Sequence, residues 1–153
     1  MKLRSVMAAA FLFTAGCAVL SPREDADADF EKETNAHESR MQEDRAVSSL
    51  ASLESVLADY VKTENKIPPT LHKLVPKYIP QIPPLDLPAC GRESDRVEVY
   101  SPEILRDGQI DGTRIHGTGH WGYVFTGDRV IVFIDCLKPS PKGVPWYQVR
   151  GVY

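Results

Sequence analysis

One uninterrupted amphipathic stretch, from Glu43 to Asn65, constrains this fold more than any other part of the sequence. Its apolar residues recur at intervals of three and four, which places them along one face of an α-helix. The stripe consists of Ala46, Leu50, Leu53, Leu57 and Tyr60, with Val47, Val56 and Val61 at its margins. Pro68 and Pro69 then prevent the helix from continuing. Because a single helix cannot cover its own apolar stripe, the rest of the chain must supply a covering surface.

The chain begins with the pattern of an export signal. Two basic residues, Lys2 and Arg4, precede an apolar stretch from Val6 to Phe13. This stretch is too short to span a bilayer as a stable helix, and a signal of this kind directs the chain out of the cytoplasm. We therefore expect residues 1–16 to act as a signal peptide.

The end of this signal, Thr-Ala-Gly-Cys at residues 14–17, resembles the lipobox of bacterial lipoproteins. In that family the cysteine is lipidated and becomes the mature N-terminus, so the resemblance implies lipidation at Cys17. An ordinary signal peptide cleaved near Ala18 is the alternative. The resemblance further implies a cell-envelope protein that faces the periplasm and is held to the membrane by its lipid, with the outer membrane slightly favoured because Ala18 replaces aspartate.

Residues 17–40 would follow the lipidated cysteine as an acidic tether. Between residues 21 and 49 the chain has nine acidic and four basic side chains, and it has few large apolar ones. This composition predicts a solvated tether, although acidic residues would also suit the front of the long helix. Residues 50–153 carry twelve acidic and twelve basic side chains. No cluster of basic residues is present, so we expect no nucleic-acid partner.

The remaining cysteines, Cys90 and Cys136, form an even pair in an exported chain. A disulfide between them would close a loop of about 47 residues and would stabilise the fold by roughly 4 kcal/mol in the chain-entropy model. Two buried free thiols are the alternative interpretation, and metal binding by two cysteines alone is less favoured.

Residues 66–90 contain seven of the twelve prolines, together with an apolar residue at every third or fourth position. A linker would be polar, so this pattern predicts a connector that wraps against the core. Thr70 is expected to cap a short helical turn over Leu71–Val75, which Pro76 ends.

The C-terminal half has the character of a small sheet. Its predicted strands are Arg96–Tyr100, Trp121–Phe125 and Arg129–Ile134, with Trp146–Val149 as a fourth strand at an edge. Thr126-Gly127-Asp128 is suited to a hairpin turn. The apolar run from Val130 to Ile134 predicts a strand that is either covered on both faces or packed tightly against the helix. We therefore expect an α+β domain over residues 41–153, in which a long N-terminal helix packs on an antiparallel sheet of three to four strands.

Two groups of landmarks resemble type IV pilins and the pseudopilins of type II secretion. The first group comprises Leu57, Tyr60, Asn65 to Pro68, Leu71, Leu74 to Pro76, Tyr78, Ile79, Ile82 and Pro83; the second comprises Thr118 to Val124, Gly127, Val130, Asp135 and Cys136. The resemblance implies a pilin-like fold that acts through protein–protein contacts, without enzymatic activity, in a secretion or pilus-related system. The apolar front that builds the pilin filament has no counterpart here, so we expect a tethered domain rather than a filament subunit.

A metal site is the other functional hypothesis. Asp107, Gln109 and Asp111 occupy positions 1, 3 and 5 of a partial calcium loop, with Gly112 at position 6. Thr118 stands at position 12, where a bidentate glutamate belongs. These residues make a calcium- or ligand-binding module on the membrane surface the alternative function, and a polar, turn-rich loop the competing interpretation. No other cofactor is expected.

Two further patterns bear on a zinc site and on a catalytic nucleophile. His116 and His120 are four residues apart, but the two glycines between them argue against the helix that would align them, and no third zinc ligand is evident. The sequence also lacks the Gly-x-Ser-x-Gly pattern of a nucleophile elbow. We therefore expect no enzyme.

Overall fold

A long helix dominates the computed structural model, which describes the backbone of residues 23–150 and the side chains of residues 30–150. Helix α1 runs from Arg23 to Glu64, and it packs with its second half on a small sheet. The predicted α+β class, with one long N-terminal helix on a small sheet, is confirmed. The signal segment and Cys17 lie outside the described residues. Within the described part of the chain, no helix is both long and apolar enough to cross a membrane.

The front of α1 occupies the segment predicted as a tether. Residues 23–40 are helical, as the alternative interpretation held, and the side chains of residues 30–41 are all exposed to solvent. The segment is therefore both solvated and ordered into a helix. The apolar stripe begins only at Ala46, and the first hydrogen bond from the helix to the body comes at Gln42, whose Nε2 donates to Asp86 over 3.0 Å.

The second half of α1 buries the predicted stripe. Each of its five central residues, Ala46, Leu50, Leu53, Leu57 and Tyr60, is at most 7% exposed. Their partners on the sheet include Trp121, Tyr123, Val132 and Ile134. Burial of a leucine side chain contributes about 1.5–3 kcal/mol, so this stripe is a principal source of stability.

Helix α1 ends in contact with the connector. Asn65 has a φ of 50°, the left-handed conformation that commonly follows a helix C-terminus. The Glu64 carboxylate lies 2.6 Å from Lys77 Nζ and accepts a hydrogen bond of 2.8 Å from the Tyr78 hydroxyl. These contacts fasten the end of the helix to the proline-rich segment.

The connector wraps against the core, as predicted. Its buried residues are Pro68, Leu71, Leu74, Ile82, Leu85 and Leu87. Proline carbonyls accept hydrogen bonds from the sheet: Trp121 Nε1 donates to Pro83 over 2.8 Å, and the Tyr123 hydroxyl donates to Pro68. The predicted turn is a 3-10 helix over Leu71–Leu74. Its predicted side-chain cap is wrong, because the Thr70 backbone carbonyl, rather than its hydroxyl, accepts from Lys73 N.

The main sheet has three strands. They are β1 (Val97–Tyr100), β4 (Trp121–Phe125) and β5 (Val130–Ile134), in the order β1-β4-β5, while β2 (Leu105–Arg106) and β3 (Gln109–Ile110) form a separate hairpin. Strands β4 and β5 are antiparallel, with Tyr123 opposite Val132. Strand β1 runs parallel to β4, so the prediction of a wholly antiparallel sheet is wrong. The twenty residues between β1 and β4, which include the small hairpin, provide the crossover that a parallel pair needs.

The predicted fourth strand is also wrong. Residues Trp146–Gln148 form a 3-10 helix in which Gln148 N donates to Pro145 O and Val149 N donates to Trp146 O. Trp146 is thereby turned into the core, where it is 1% exposed. The local turn satisfies these backbone groups without a neighbouring strand.

Both faces of the sheet are covered, which confirms the prediction drawn from the apolar run of β5. Helix α1 and the connector cover one face. On the other face, Phe133 and Val124 join Tyr100 and three isoleucines of the crossover, Ile104, Ile110 and Ile115. The end of β5 thus lies between two apolar clusters, and this position determines the surroundings of the next residue, Asp135.

Candidate functional site

A buried carboxylate follows β5 at the point where several loops meet. Asp135 is completely buried, and its two oxygens accept four hydrogen bonds. Oδ1 accepts from Gly117 N at 2.9 Å. Oδ2 accepts from Thr118 N at 3.1 Å, Thr118 Oγ1 at 2.6 Å and the Tyr100 hydroxyl at 2.7 Å. Asp135 therefore holds the loop of residues 115–120 against the end of the sheet.

Tyr100 extends this network toward the histidine loop. Its hydroxyl donates to Asp135 and accepts from His116 N at 3.0 Å. Burial raises the pKa of the Tyr100 hydroxyl far above its ordinary value of 10.0, and the neighbouring Asp135 acts in the same direction. The phenol therefore keeps its proton at physiological pH and remains a hydrogen-bond donor.

The two cysteines meet directly beside Asp135. The sulfur atoms of Cys90 and Cys136 are 2.07 Å apart, which is disulfide distance, so the structure brings together the pair that the sequence predicted. Gly119 crosses this point with a φ of 76°, and a Cβ there would lie 2.6 Å from Cys90 O. Both the backbone conformation and the close approach therefore require glycine at position 119. We call Asp135, Cys136, Cys90 and the loop 115–120 the junction.

The chemistry of the junction is that of a structural support. Each oxygen of Asp135 is already occupied by donors, and the side chain has no access to solvent. His116 Nδ1 lies 3.4 Å from Glu98 Oε1 on the surface nearby. Among the side chains of residues 30–150, no group of three histidine, cysteine or acidic side chains is arranged to hold a metal ion.

The predicted calcium loop is divided between a hairpin and a separate turn. Asp107 and Gly108 have φ values of 52° and 77°, and they connect β2 to β3 as a tight turn. Gln109 belongs to β3. Asp111 Oδ1 accepts from Thr113 N at 3.0 Å and from Thr113 Oγ1 at 2.7 Å. These bonds, with a smaller contribution from Arg114, lower the pKa of the Asp111 carboxyl. Calcium binding by Asp107, Gln109 and Asp111 stays a prediction.

A pocket that the sequence did not predict lies between α1 and the chain's last loop. It has a volume of about 290 Å³. Its helix side includes Arg40, Glu43, Asp44 and Val47, and its loop side includes Ser140, Lys142 and Trp146. The pocket marks the place where the exposed front of α1 meets the packed body. The sequence predicts an edge strand at one of its lining residues, Trp146, and no local pattern indicates the pocket.

Comparison with known proteins identified no relative: no family model, no curated protein and no solved structure matches this chain.

Proposed function

We propose that this chain is a non-enzymatic envelope lipoprotein whose pilin-like domain acts through contacts with other proteins. The system that it serves is a type II secretion or type IV pilus-related machine. The observation that carries the proposal is the front of α1, residues 23–41, which precedes the first hydrogen bond of the helix to the packed body, from Gln42 to Asp86.

The length and polarity of this front half suit a spacer. At 1.5 Å per residue, its 19 residues extend roughly 28 Å. An exposed helix whose surface is mostly polar is typical of a connection through solvent between two attached bodies. A lipid on Cys17, six residues before Arg23, would be one attachment, and the α+β body is the other. The helix would therefore hold the body away from the membrane, within reach of neighbouring proteins.

Two exposed apolar side chains give the spacer points of contact. Phe30 is 72% exposed and Met41 is 43% exposed. They are eleven residues apart, which is three helical turns, so they share one face of α1. That face is turned away from the stripe that begins at Ala46. A partner could bind there without disturbing the packed core.

The pilin-like assignment is supported by the structural roles of the landmark residues. Tyr60, Leu71, Leu74 and Ile82 are buried together between helix and connector. Trp121 and Tyr123, from the second group of landmarks, bond to connector carbonyls. The residues that carry the resemblance are therefore those that fix the helix on the sheet.

Replacing Cys17 with serine tests the anchor. We expect the wild-type chain to partition with membranes and to carry the additional mass of its acyl chains, because stable anchoring needs more than one chain. Cys17→Ser should release the protein to the soluble fraction and remove that mass. Fractionation and intact-mass spectrometry measure the two effects. Because Cys90 and Cys136 are untouched, the body should fold in both forms. An unchanged distribution and an unchanged mass in Cys17→Ser would contradict the lipoprotein assignment.

A further inference from the structure

Two buried polar atoms in the described part of the chain have no hydrogen-bond partner, and both belong to residues that line the same pocket. They are Ser140 Oγ and Trp146 Nε1. Buried polar groups in proteins are almost always hydrogen-bonded, because an unsatisfied one loses its hydration without compensation. Their coincidence at one cavity indicates that a group supplied from outside completes the site.

The other tryptophan of the chain gives an internal comparison. Trp121 is equally buried, but its Nε1 donates to Pro83 O over 2.8 Å. The indole of Trp146 has no such carbonyl. Because an indole N–H is a donor only, the missing group is a hydrogen-bond acceptor. The Ser140 hydroxyl can either donate or accept, so it is suited to a group that carries both functions.

The residues that line the pocket indicate what else the ligand must have. Val47, Trp146 and Val149 give it an apolar interior. Arg40 and Lys142 are matched by Glu43 and Asp44, so the charges around it cancel. These four side chains have no net charge, so they do not attract a ligand that carries one strong charge. A neutral ligand with an apolar part suits the pocket better. At about 290 Å³, the space is at the lower limit for small-molecule sites and suits one large side chain.

We propose that this pocket binds one apolar residue of a partner's peptide chain, with the peptide carbonyl accepting from Trp146 Nε1 and the Ser140 hydroxyl bonding to the adjacent amide. An amide unit next to an apolar side chain is neutral, and it offers both an acceptor and a donor. The proposal rests on the proposed function, since it names what the protein contact recognises.

The turn that carries Ser140 controls access to the two atoms. Ser140 N donates to Val144 O at 2.7 Å, and Gly143 N donates to Ser140 O at 2.9 Å. Neither orphan atom reaches solvent, so the proposal requires that the entering residue move this turn outward. The turn is exposed at Pro141, Lys142 and Gly143, so no buried residue lies outside it at these positions.

Nuclear magnetic resonance of the two indole N–H groups tests the proposal. The full chain, in detergent micelles, is titrated with N-acetyl-leucinamide, which combines a neutral amide with an apolar side chain. We expect a saturable shift of the Trp146 indole signal and no shift of the Trp121 signal. Three control compounds are titrated in the same way. Acetamide has the amide alone, isobutanol has the apolar group alone, and N-acetyl-leucine is a charged analogue of the probe. Each should bind at least several-fold more weakly than the complete probe.

Ser140→Ala is the matched variant. It removes one orphan atom with little change of volume, so it should stabilise the free protein slightly and weaken probe binding about threefold to tenfold, the loss expected for one hydrogen bond. Unchanged indole signals at the solubility limit of the probe would mean that the pocket does not bind it and that water alone satisfies the two buried atoms. That result would overturn the proposal. Equal binding of isobutanol would show an unspecific apolar cavity and would also overturn it. Either failure leaves the proposed function standing, because the Cys17→Ser fractionation and the cross-linking at position 41 described below do not depend on this pocket.

Discussion

Asp135→Ala is expected to lower the free energy of unfolding by about 3–5 kcal/mol, because it removes the acceptor of four hydrogen bonds at once. Asp135 accepts from Gly117 N, from both donors of Thr118 and from the buried Tyr100 hydroxyl; the carboxylate is completely buried, while Gly117 and Thr118 are partly exposed. An unsatisfied buried donor costs about 1–3 kcal/mol, and partial entry of water would reduce the sum. Urea denaturation followed by circular dichroism measures the change.

Two further substitutions make this prediction specific. Asp135→Asn retains one acceptor oxygen, which can face the three donors grouped at Oδ2. It should therefore lower the free energy of unfolding by less than Asp135→Ala does. Asp128→Ala removes an exposed turn carboxylate bonded to Thr126 and should change stability by about 0.5 kcal/mol or less. If Asp135→Ala were no more destabilising than Asp128→Ala, the junction would not be the support described here.

Loss of the bond between Cys90 and Cys136 is expected to cost about 4 kcal/mol, because their separation of 46 residues gives the reduced unfolded chain much more freedom. The measurement is urea denaturation of the wild-type chain with and without a thiol reductant. The double variant Cys90→Ser with Cys136→Ser is the control, and reductant should not change its midpoint. Equal midpoints for oxidised and reduced wild-type protein would contradict the predicted disulfide.

The two effects should also be coupled. Asp135 and Cys136 are adjacent, and both restrain the loops that meet at Gly119. Substitutions that share a restrained segment are rarely additive. We therefore expect Asp135→Ala to destabilise the reduced protein by less than it destabilises the oxidised protein.

The sequence predicted those elements whose signals are local. The stripe from Ala46 to Tyr60 follows the helical period, so it identified both the helix and its buried face. The hairpin of β4 and β5 has a glycine turn between two apolar segments, so it was also predicted. The parallel pairing of β1 was missed because strand direction depends on the crossover rather than on the residues of the strand.

Two other segments were harder to interpret from the sequence, because the same residues suit two structures. Asp107-Gly108 fits a calcium loop by composition, but it also favours the left-handed pair of a tight hairpin turn, and the structure has that turn. Trp146 was assigned to an edge strand because aromatic residues favour strands, yet its burial is achieved through a 3-10 turn. The pocket beside it depends on the approach of α1 to a loop almost one hundred residues later, which no local pattern encodes.

The central claim, that the front of α1 presents this domain to partner proteins in the envelope, is tested most directly by photo-cross-linking in intact cells. A photoreactive amino acid replaces Met41 on the exposed face of the helix, and in a control it replaces Lys73, an exposed residue of the connector. We predict a discrete adduct from position 41, identified by mass spectrometry as a secretion or pilus component, that is absent from position 73. The absence of any adduct at position 41, or the same adducts at both positions, would contradict the claim.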